Sequence, residues 1–468
     1  MDDFLREIQT SVFREWINNQ KRDYYHLHQS ETDPDAIIIE NEYCYSYVTF
    51  NPQCIIELCV MNKRTDEMAF YLHFQFKTLK HAISLFEEMD QCIKKMVDQP
   101  MCRLLLCCSG GMTTAFFADK IKNGIKVLNL NMEVAATSYQ KIYNVAQNYD
   151  VILLAPQVSY VKLQVEKVFK NKLVLKIPTQ IFASYNVGAL ITFVEESLKH
   201  KENKYNGYVE PLASMMEIKT NKHVLAVSIN ANGENSHISY RLYNSHQDIV
   251  LDSNIIKSNI KLQDVLDALD TVVLQNEMID VISIALPGIM VEGNVYSGII
   301  EGGNHQLKER LEKRYEKEIY LINDVNAAVV GYYASQNEYK SLAFLFQPIG
   351  RMAGSGIIVS GQLIRGMDHL AGEVALLPLN LSDAYLTLAN TPEGTLELVT
   401  KNIMSIIAIV APEAIVVYSD LILDSQDVSD EIKKSLSQYS LKVYPKIIKV
   451  ENILEYILLG AMILSAKE

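Results

Sequence analysis

A short loop of small residues between an apolar run and a helix-compatible segment constrains the fold more than any other feature. The run Leu104-Leu-Leu-Cys-Cys108 is followed by Ser-Gly-Gly-Met-Thr-Thr114 and then by Phe116-Phe-Ala-Asp-Lys-Ile-Lys122. This order predicts a strand, a tight loop and a helix N-terminus, with the Cys108 thiol at the mouth of the loop. Uncovered main-chain N–H groups at a helix start favour an anion, and the same field favours the thiolate form of a nearby cysteine.

Two absences narrow the chemistry of this loop. It lacks the lysine of a Walker-type phosphate loop. The sixth residue after Cys108 is Thr114, where a cysteine phosphatase would place an arginine. The pattern therefore indicates a thiol that carries a phosphoryl group rather than one that hydrolyses a phosphate ester.

The segment Cys108-Ser-Gly-Gly-Met-Thr-Thr114 resembles the phosphorylation loop of lactose/cellobiose-type IIB proteins of the bacterial sugar phosphotransferase system. Val151-Ile-Leu-Leu-Ala-Pro-Gln-Val158 resembles the strand and Pro-Gln-Val turn of the same family, and the similarity covers about residues 101–200. The resemblance implies that Cys108 is a phosphocysteine loaded by a IIA-type donor. It also implies a phosphate cradle of main-chain donors from Ser109, Gly110, Gly111, Met112, Thr113 and Thr114. The alternative reading, a buried structural cysteine, is the one we adopt for Cys107, on the opposite face of the strand.

Composition limits the class of protein. A net charge of -13 without a basic stripe gives no support for nucleic-acid binding. No apolar run approaches the roughly 20 residues that span a bilayer, and the N-terminus does not resemble a secretory signal. The cysteines number seven, an odd count, which suits reduced thiols in the cytoplasm better than a disulfide framework.

The chain reads as three α/β regions and a linker. We expect residues 1–100 to form an α+β module for dimerisation or sensing, with a helix over 1–22, strands over 36–50, 54–61 and 68–76, and a helix over 79–96. Residues 101–200 alternate between strands near 102–108, 125–131, 150–155 and 172–176 and helices, which predicts an open parallel sheet. Residues 201–220 are polar and read as the linker, and 221–468 form the third region.

The third region resembles the ROK family of sugar kinases and sugar-responsive repressors. Four segments carry the resemblance in order: Ile284-Ala-Leu-Pro-Gly-Ile-Met290, Leu321-Ile-Asn-Asp-Val-Asn-Ala-Ala328, Gly350 to Val374 with its Leu370-Ala-Gly-Glu-Val374, and Leu458-Leu-Gly-Ala-Met-Ile-Leu464. The resemblance implies a two-lobed fold of the actin-like ATPase type and a homodimer. It aligns Asp324 with the catalytic base, and Asn323, Asp324 and Glu373 with sugar contacts. An N-cap at the start of the following helix is the alternative role for Asp324.

The nucleotide side departs from the family pattern. Ser228-Ile-Asn-Ala-Asn-Gly233 stands where the family has Asp-x-Gly-Gly-Thr-Lys, and Gly350-Arg-Met-Ala-Gly354 stands where it has Gly-Thr-Gly-x-Gly. The later Gly-Gly is replaced by Tyr418-Ser-Asp420, and the family's zinc cluster is missing. Positioning and electrostatics supply most of phosphoryl-transfer catalysis, so we expect a pseudokinase that needs no cofactor. Arg351 is read as a solvated surface residue, with binding of an anionic ligand as the alternative.

The sequence therefore predicts a cytoplasmic, sugar-responsive regulatory protein. Its partners would be phosphotransferase-system proteins and a sugar or sugar phosphate, with no nucleic acid and no membrane insertion. Two catalytic alternatives remain: a IIB-type relay that passes phosphate through Cys108 during sugar uptake, and a divergent ROK kinase that uses Asp324 as its base. A transcriptional repressor ranks below them, because no helix-turn-helix is evident in residues 1–100.

Overall fold

A computed structural model divides the chain into two compact units. The first comprises Met1–Gln99, Ala213–Ser335 and Leu454–Glu468, and the second comprises Pro100–Leu212 and Gln336–Ile453. The residues that the structure describes are 3–63, 66–98, 102–110, 112–128, 130, 132–170, 172–199, 214, 220–232, 235–291, 294–296, 298–301, 307–367, 370–437 and 444–467.

Helices of the described residues alternate with strands in the middle of the chain and flank the strands elsewhere. They are α1 (Asp3–Asn18), α2 (Leu79–Asp98), α3 (Met112–Val127), α4 (Ile142–Val145), α5 (Lys162–Val168), α6 (Thr179–Ser184), α7 (Val187–Lys199), α8 (Leu262–Gln275), α9 (Leu307–Tyr315), α10 (Asp324–Ala334), α11 (Tyr385–Leu388), α12 (Pro392–Ile409), α13 (Ser425–Ser437) and α14 (Leu454–Lys467). Within the described part of the chain, we find no helix that is both long and apolar enough to cross a membrane.

The strands build three main sheets. They are β1 (His26–Gln29), β2 (Ala36–Glu40), β3 (Cys44–Asn51), β4 (Ile55–Asn62), β5 (Glu67–Gln75), β6 (Cys102–Cys108), β7 (Met132–Ser138), β8 (Val151–Leu154), β9 (Leu173–Lys176), β10 (Val224–Asn232), β11 (Asn235–Tyr243), β12 (Ile249–Lys257), β13 (Ile260–Lys261), β14 (Val281–Leu286), β15 (Ile289–Val291), β16 (Asn294–Tyr296), β17 (Ile300–Glu301), β18 (Glu318–Asn323), β19 (Leu342–Phe346), β20 (Gly354–Val359), β21 (Gln362–Leu363), β22 (Ala414–Tyr418) and β23 (Lys446–Lys449).

The first unit contains one continuous sheet in the order β1-β2-β3-β4-β5-β12-β11-β10-β14-β18. Strands β1 to β5 form an antiparallel meander. Its last strand joins β12, with Tyr71 opposite Ile256. On the far side, β14 and β18 run parallel to β10. The meander therefore extends the sheet of the third region instead of forming a sheet of its own.

A unit boundary falls between Gln99 and Pro100, close to the boundary predicted at residue 100, but Met1–Gln99 do not form a unit of their own. Phe13 and Phe86 of the N-terminal region share one apolar core with Val227 and Val265 of the third region. An edge strand with unpaired N–H and C=O groups needs a partner or a cover, and β5 meets β12 at the paired position of Tyr71 and Ile256. The N-terminal region thus belongs to a compact unit that also contains the first part of the third region.

The long predicted strand over residues 36–50 is two strands. The Asn41 side-chain oxygen accepts hydrogen bonds from the main-chain N–H groups of Tyr43 and Cys44, both at 2.8 Å. This is the local turn that asparagine favours, and it reverses the chain between β2 and β3. Strand β1 lies outside the predicted elements.

The second unit contains an all-parallel sheet in the order β7-β6-β8-β9. This confirms the open parallel α/β sheet expected for residues 101–200. The predicted strand over 125–131 is wrong, because helix α3 continues to Val127. Ile121 and Ile125, which are 0% and 7% exposed, lie four residues apart and extend the buried stripe of the helix into the segment predicted as a strand.

The other sheet of the second unit repeats a topology found in the first. Its order is β21-β20-β19-β22-β23, and the third-region strands of the first unit have the order β12-β11-β10-β14-β18. In both, the first strand in the chain lies in the middle, the next two are antiparallel on one side, and the last two are parallel on the other. The expectation of two mixed α/β lobes is confirmed at the level of each sheet.

Candidate functional site

The predicted phosphate loop lies at the carboxyl end of a central strand. The side chains of Leu104, Leu105 and Leu106 are at most 1% exposed, because β6 is enclosed between β7 and β8. Ligands of open parallel sheets bind beyond the carboxyl ends of the strands. The next residues, Cys107 and Cys108, end β6 at that edge, and α3 begins at Met112. The predicted order of strand, loop and helix is therefore what the structure contains.

The Cys108 sulfur receives a main-chain hydrogen bond from its own loop. The Gly110 N–H lies 3.2 Å from Cys108 Sγ, and Sγ lies 3.9 Å from the Thr137 carbonyl oxygen. Gly110 has φ +99°, a conformation that L side chains rarely adopt. A main-chain donor aimed at sulfur stabilises negative charge there. The loop conformation, and with it this donor, depends on a glycine at position 110.

The rest of the predicted cradle is described only in part. Ser109 is exposed. Gly111 lies outside the described residues. So do the side chains of Met112, Thr113 and Thr114, although their main chain forms the first turn of α3. Helix α3 is long enough for its N-terminal N–H groups to favour an anion.

Cys107 is a different kind of cysteine. Its side chain is fully buried, and burial, followed by the neighbouring Cys108, raises the pKa of the Cys107 thiol to about 12. A thiol with so high a pKa is a poor nucleophile near neutral pH. The interpretation of Cys107 as a structural cysteine agrees with this environment.

The two predicted sugar contacts at positions 323 and 324 have different local roles. The Asn323 side-chain oxygen accepts from the N–H groups of Val325 and Asn326, both at 3.0 Å, and its amide donates to the Gly288 carbonyl at 3.3 Å. Asn323 is thus the N-cap of α10. The capping role that the sequence offered for Asp324 belongs to its neighbour.

Asp324 occupies the first turn of α10 and is 7% exposed. Its Oδ1 accepts from the Val325 N–H at 2.9 Å. The positive end of the helix dipole favours a carboxylate at this position. Asp324 therefore stays compatible with the predicted role of a base or sugar contact.

Glu373 belongs to the second unit, whereas Asn323 and Asp324 belong to the first. The Glu373 side chain is half-buried, and burial raises the pKa of its carboxyl group. It directly precedes the short helix Val374–Leu376. A partly desolvated carboxyl group gains from a hydroxyl donor such as a sugar would provide.

The Gly350-Arg-Met-Ala-Gly354 segment uses its N–H groups within the protein. The Gly350 N–H donates to the Ala389 carbonyl at 2.9 Å, and the Ala353 N–H donates to the Tyr385 hydroxyl at 3.2 Å. The Gln347 amide donates to the carbonyl of Arg351 at 2.9 Å and accepts from Tyr385 at 2.8 Å. A phosphate loop works by leaving such donors for the phosphates. In this segment the N–H groups of Gly350 and Ala353 are hydrogen-bonded within the protein.

Sequence reasoning missed Tyr385 and Gln347. Tyr385 lies 32 residues from Ala353 in the chain, and no motif links the two positions. The structure also describes residues at the other predicted departures from the family pattern. Ser228 is fully buried within β10, while Arg351 and Met352 are exposed. Across the described ranges, no group of three or more His, Cys, Asp or Glu side chains could hold a metal ion.

Two family models match this chain. The ROK family matches residues 232–384, and the PTS system, Lactose/Cellobiose specific IIB subunit matches residues 103–191. The oligo-beta-mannoside-specific EIIB component of the PTS system from Bacillus subtilis (strain 168) is 30% identical over 67 residues, which are 14% of this chain and 65% of that protein. The chain thus spans just under two thirds of that relative's length.

Solved structures of both kinds are similar to parts of the chain. A ROK family protein from Streptococcus pneumoniae TIGR4 in complex with sucrose is 18% identical, with a TM-score of 0.41, over 52% of this chain and 97% of that one. A ROK family transcriptional regulator, a homologue of the E. coli MLC protein, is 13% identical, with a TM-score of 0.40, over 70% and 97%. The lactose-specific IIB domain from Streptococcus pneumoniae is 23% identical, with a TM-score of 0.19, over 20% and 95%.

The chain contains two regions that match different families of domain. It joins a lactose/cellobiose-type IIB domain to a ROK-family domain.

Proposed function

We propose that this protein is a cytoplasmic, sugar-responsive regulator. Its IIB-type domain accepts a phosphoryl group on Cys108 from a IIA-type donor, and its ROK-type domain binds a sugar or sugar phosphate without phosphorylating it. Association as a homodimer is part of the proposal. The observation that carries it is the contrast between two loops. In the Cys108 loop a main-chain N–H donates to the sulfur, whereas in the Gly350 loop the N–H groups of Gly350 and Ala353 donate to Ala389 and Tyr385.

The phosphoryl step needs only the thiol and a loaded donor. The Cys108 sulfur attacks phosphorus, the S–P bond forms, and the bond between phosphorus and the donor breaks. The thiol proton passes to solvent. The Gly110 N–H donates to the sulfur at 3.2 Å and holds it at the mouth of the loop for this attack.

The main alternative is a IIB-type relay that passes the phosphoryl group onward to a transporter or a bound sugar. The same Cys108 geometry supports it, as does the name of the Bacillus subtilis relative, a IIB component of an oligo-beta-mannoside system. Onward transfer from phospho-Cys108 to a membrane or sugar acceptor separates the two. A regulator keeps its phosphate until a IIA protein takes it back.

Intact-mass spectrometry tests the phosphoacceptor role. The full chain is incubated with phosphoenolpyruvate, the general phosphotransferase proteins and candidate IIA partners. An acid-labile phosphate is expected on the wild type and on Cys54→Ser, a half-buried thiol in the other unit, but not on Cys108→Ser. No phosphate with any partner, or an equal yield in Cys108→Ser, would contradict the proposal.

Calorimetric titration tests the ROK-type domain. The probes are glucose, glucose 6-phosphate, cellobiose and cellobiose 6-phosphate, with and without Mg-ATP. We expect one probe to bind and Asp324→Asn and Glu373→Gln to weaken it at least tenfold, with no sugar-phosphate product from ATP. ATP-dependent product that Asp324→Asn abolishes would favour the divergent kinase instead.

A further inference from the structure

The IIB-type domain and the lobe that carries the Gly350 loop share an apolar core in the second unit. Leu421, which follows the Tyr418-Ser-Asp420 segment, is 2% exposed and belongs to the same buried cluster as Leu106 and Tyr143. Ile349, next to Gly350, packs against that cluster. Residues adjacent to two of the three altered nucleotide segments, those at 350–354 and 418–420, therefore contact the domain that carries Cys108.

A hydrogen bond links the IIB-type domain to the lobe that carries the Gly350 loop, and it starts one residue beyond the strand partner of Cys108. Ser138, the last residue of β7, is paired in register with Cys108. Tyr139 comes next, and its hydroxyl donates to the Glu393 carboxylate at 3.0 Å. Burial above all raises the pKa of Tyr139, so the hydroxyl keeps its proton and remains a donor. A hydrogen bond to a carboxylate is among the stronger ones in proteins.

Glu393 in turn lies at the start of the helix next to the Gly350 loop. It occupies the first turn of α12, which Thr391 caps through a 3.1 Å hydrogen bond from the Gly394 N–H. Asn390, the residue before Thr391, lies close to Gly350, and so does Asn144 of the IIB-type domain. A continuous set of contacts thus runs from the end of β6 through Tyr139 and Glu393 to the Gly350 loop.

We propose that this contact reports the phosphorylation state of Cys108 to the ROK-type lobe. A phosphoryl group adds about 1.5 to 2 negative charges at the end of β6, in register with the residue that precedes Tyr139. Glu393 has the same sign of charge. Repulsion weakens the Tyr139–Glu393 hydrogen bond, the first turn of α12 loosens, and the Gly350 loop that packs beside it loses protection. This inference rests on the proposed phosphorylation of Cys108.

Hydrogen exchange of the full chain, measured with and without phosphorylation, tests the proposal. In the wild type, phosphorylation should speed exchange at least tenfold in peptides that cover residues 349–354 and 391–397. In Tyr139→Phe the same peptides should exchange fast already and respond little to phosphate. Tyr160→Phe, a 76% exposed tyrosine of the same domain, is the matched control and should behave like the wild type.

The phosphate on each variant is quantified by intact mass in the same samples. Phosphate on Cys108 with unchanged exchange in the two peptide regions would overturn the link and leave the phosphoacceptor role intact. No phosphate on the wild type would overturn both. A Tyr139→Phe variant that still responds as the wild type does would show that the signal, if any, bypasses this contact, and would also refute the proposal.

Discussion

Gly460 in α14 and Ala327 in α10 approach so closely that a Cβ on Gly460 would stand 1.8 Å from the Ala327 carbonyl oxygen. Gly331 makes an equivalent contact in the other direction, since a Cβ added to it would lie 2.0 Å from the Tyr456 carbonyl oxygen. The two helices therefore touch backbone to backbone. Helix α10 begins at Asp324 and is capped by Asn323, so this contact positions the predicted sugar-binding segment.

Gly460→Ala should lower the free energy of unfolding of the first unit by about 2 kcal/mol or more, because overpacking forces the helices apart. Urea unfolding followed by circular dichroism measures the loss. Gly298→Ala is the matched control in the same unit, since no atom of the described residues lies within 4 Å of its added Cβ. Equal stabilities of the two variants would contradict the close contact.

A second prediction concerns a buried ion pair. Arg241 donates to both carboxylate oxygens of Glu455, at 2.9 and 3.0 Å, and the two side chains are 3% and 7% exposed. Glu455→Leu should cost about 3 kcal/mol of unfolding free energy, because it leaves the buried guanidinium with one carboxylate partner, Asp252 at 2.7 Å, instead of two. The double variant Arg241→Met, Glu455→Leu should recover most of it.

The exposed pair of Lys308 and Glu312 provides the control for that experiment, since Glu312→Gln should change stability by less than about 0.5 kcal/mol. A double variant as unstable as Glu455→Leu alone would show that packing, not charge, holds this position.

The third prediction is a pH dependence caused by His73. Burial lowers the pKa of His73 from 6.5 to about 4, and its Nε2 lies 2.5 Å from the Tyr240 hydroxyl. Above pH 6.5 the ring is neutral in both states and the pH has no effect through it. As the pH falls from 6.5 to 4, the unfolded chain binds a proton that the folded chain does not, so stability falls by up to about 3 kcal/mol.

His73→Gln should remove that part of the pH dependence, measured as the difference between urea unfolding free energies at pH 7 and pH 4.5. His28→Gln, on an exposed strand position, should keep it. An unchanged slope in His73→Gln would mean that the histidine does not titrate as its burial requires.

The fourth prediction concerns the phosphoacceptor loop. Gly110→Ala should slow the phosphorylation of Cys108 about tenfold or more, because a positive φ costs a non-glycine residue roughly 1–3 kcal/mol. Among the described residues, the nearest atom to the added Cβ would be the Ser138 Cβ at 3.8 Å, an ordinary contact distance. The effect therefore comes from backbone conformation, and the free energy of unfolding should fall by no more than the same roughly 1–3 kcal/mol. Initial rates of phosphate uptake measure it.

Gly188→Ala in helix α7 is the matched control for this loop, because its added Cβ would meet only the Asn186 side chain at 3.8 Å. A Gly110→Ala variant phosphorylated as fast as Gly188→Ala would show that the loop conformation is not needed for transfer.

The phosphoacceptor loop could be predicted from the sequence because its determinants are contiguous. The strand, Gly110 and the start of α3 lie within one short segment, and each follows from local rules. The prediction of a strand over 125–131 was wrong because packing against the core, and not local composition, decides the structure of this segment. Ile125, Val127 and Leu130 favour a strand by composition, but the buried stripe through Ile121 and Ile125 prolongs the helix.

Long-range pairing explains what the sequence could not predict. Nothing local indicates that Tyr71 pairs with Ile256 and merges the N-terminal meander with the third region. The capping role was uncertain for a different reason, since Asn323 and Asp324 are adjacent and both types cap helices. The hydrogen bonds that the Gly350 loop donates to Tyr385 and Ala389 depend on tertiary structure alone.

The division into two discontinuous units means that the two domains cannot be separated by one cut in the chain. Each unit takes chain from both sides of residues 201–212, since the first needs Met1–Gln99 with Ala213–Ser335 and the second needs Pro100–Leu212 with Gln336–Ile453. A single cut in that segment would leave each fragment with part of both units. The N-terminal fragment would keep nearly the whole apolar core of the IIB-type domain, but it would lose Leu421 and Ile349, which complete that core from the other side of the cut.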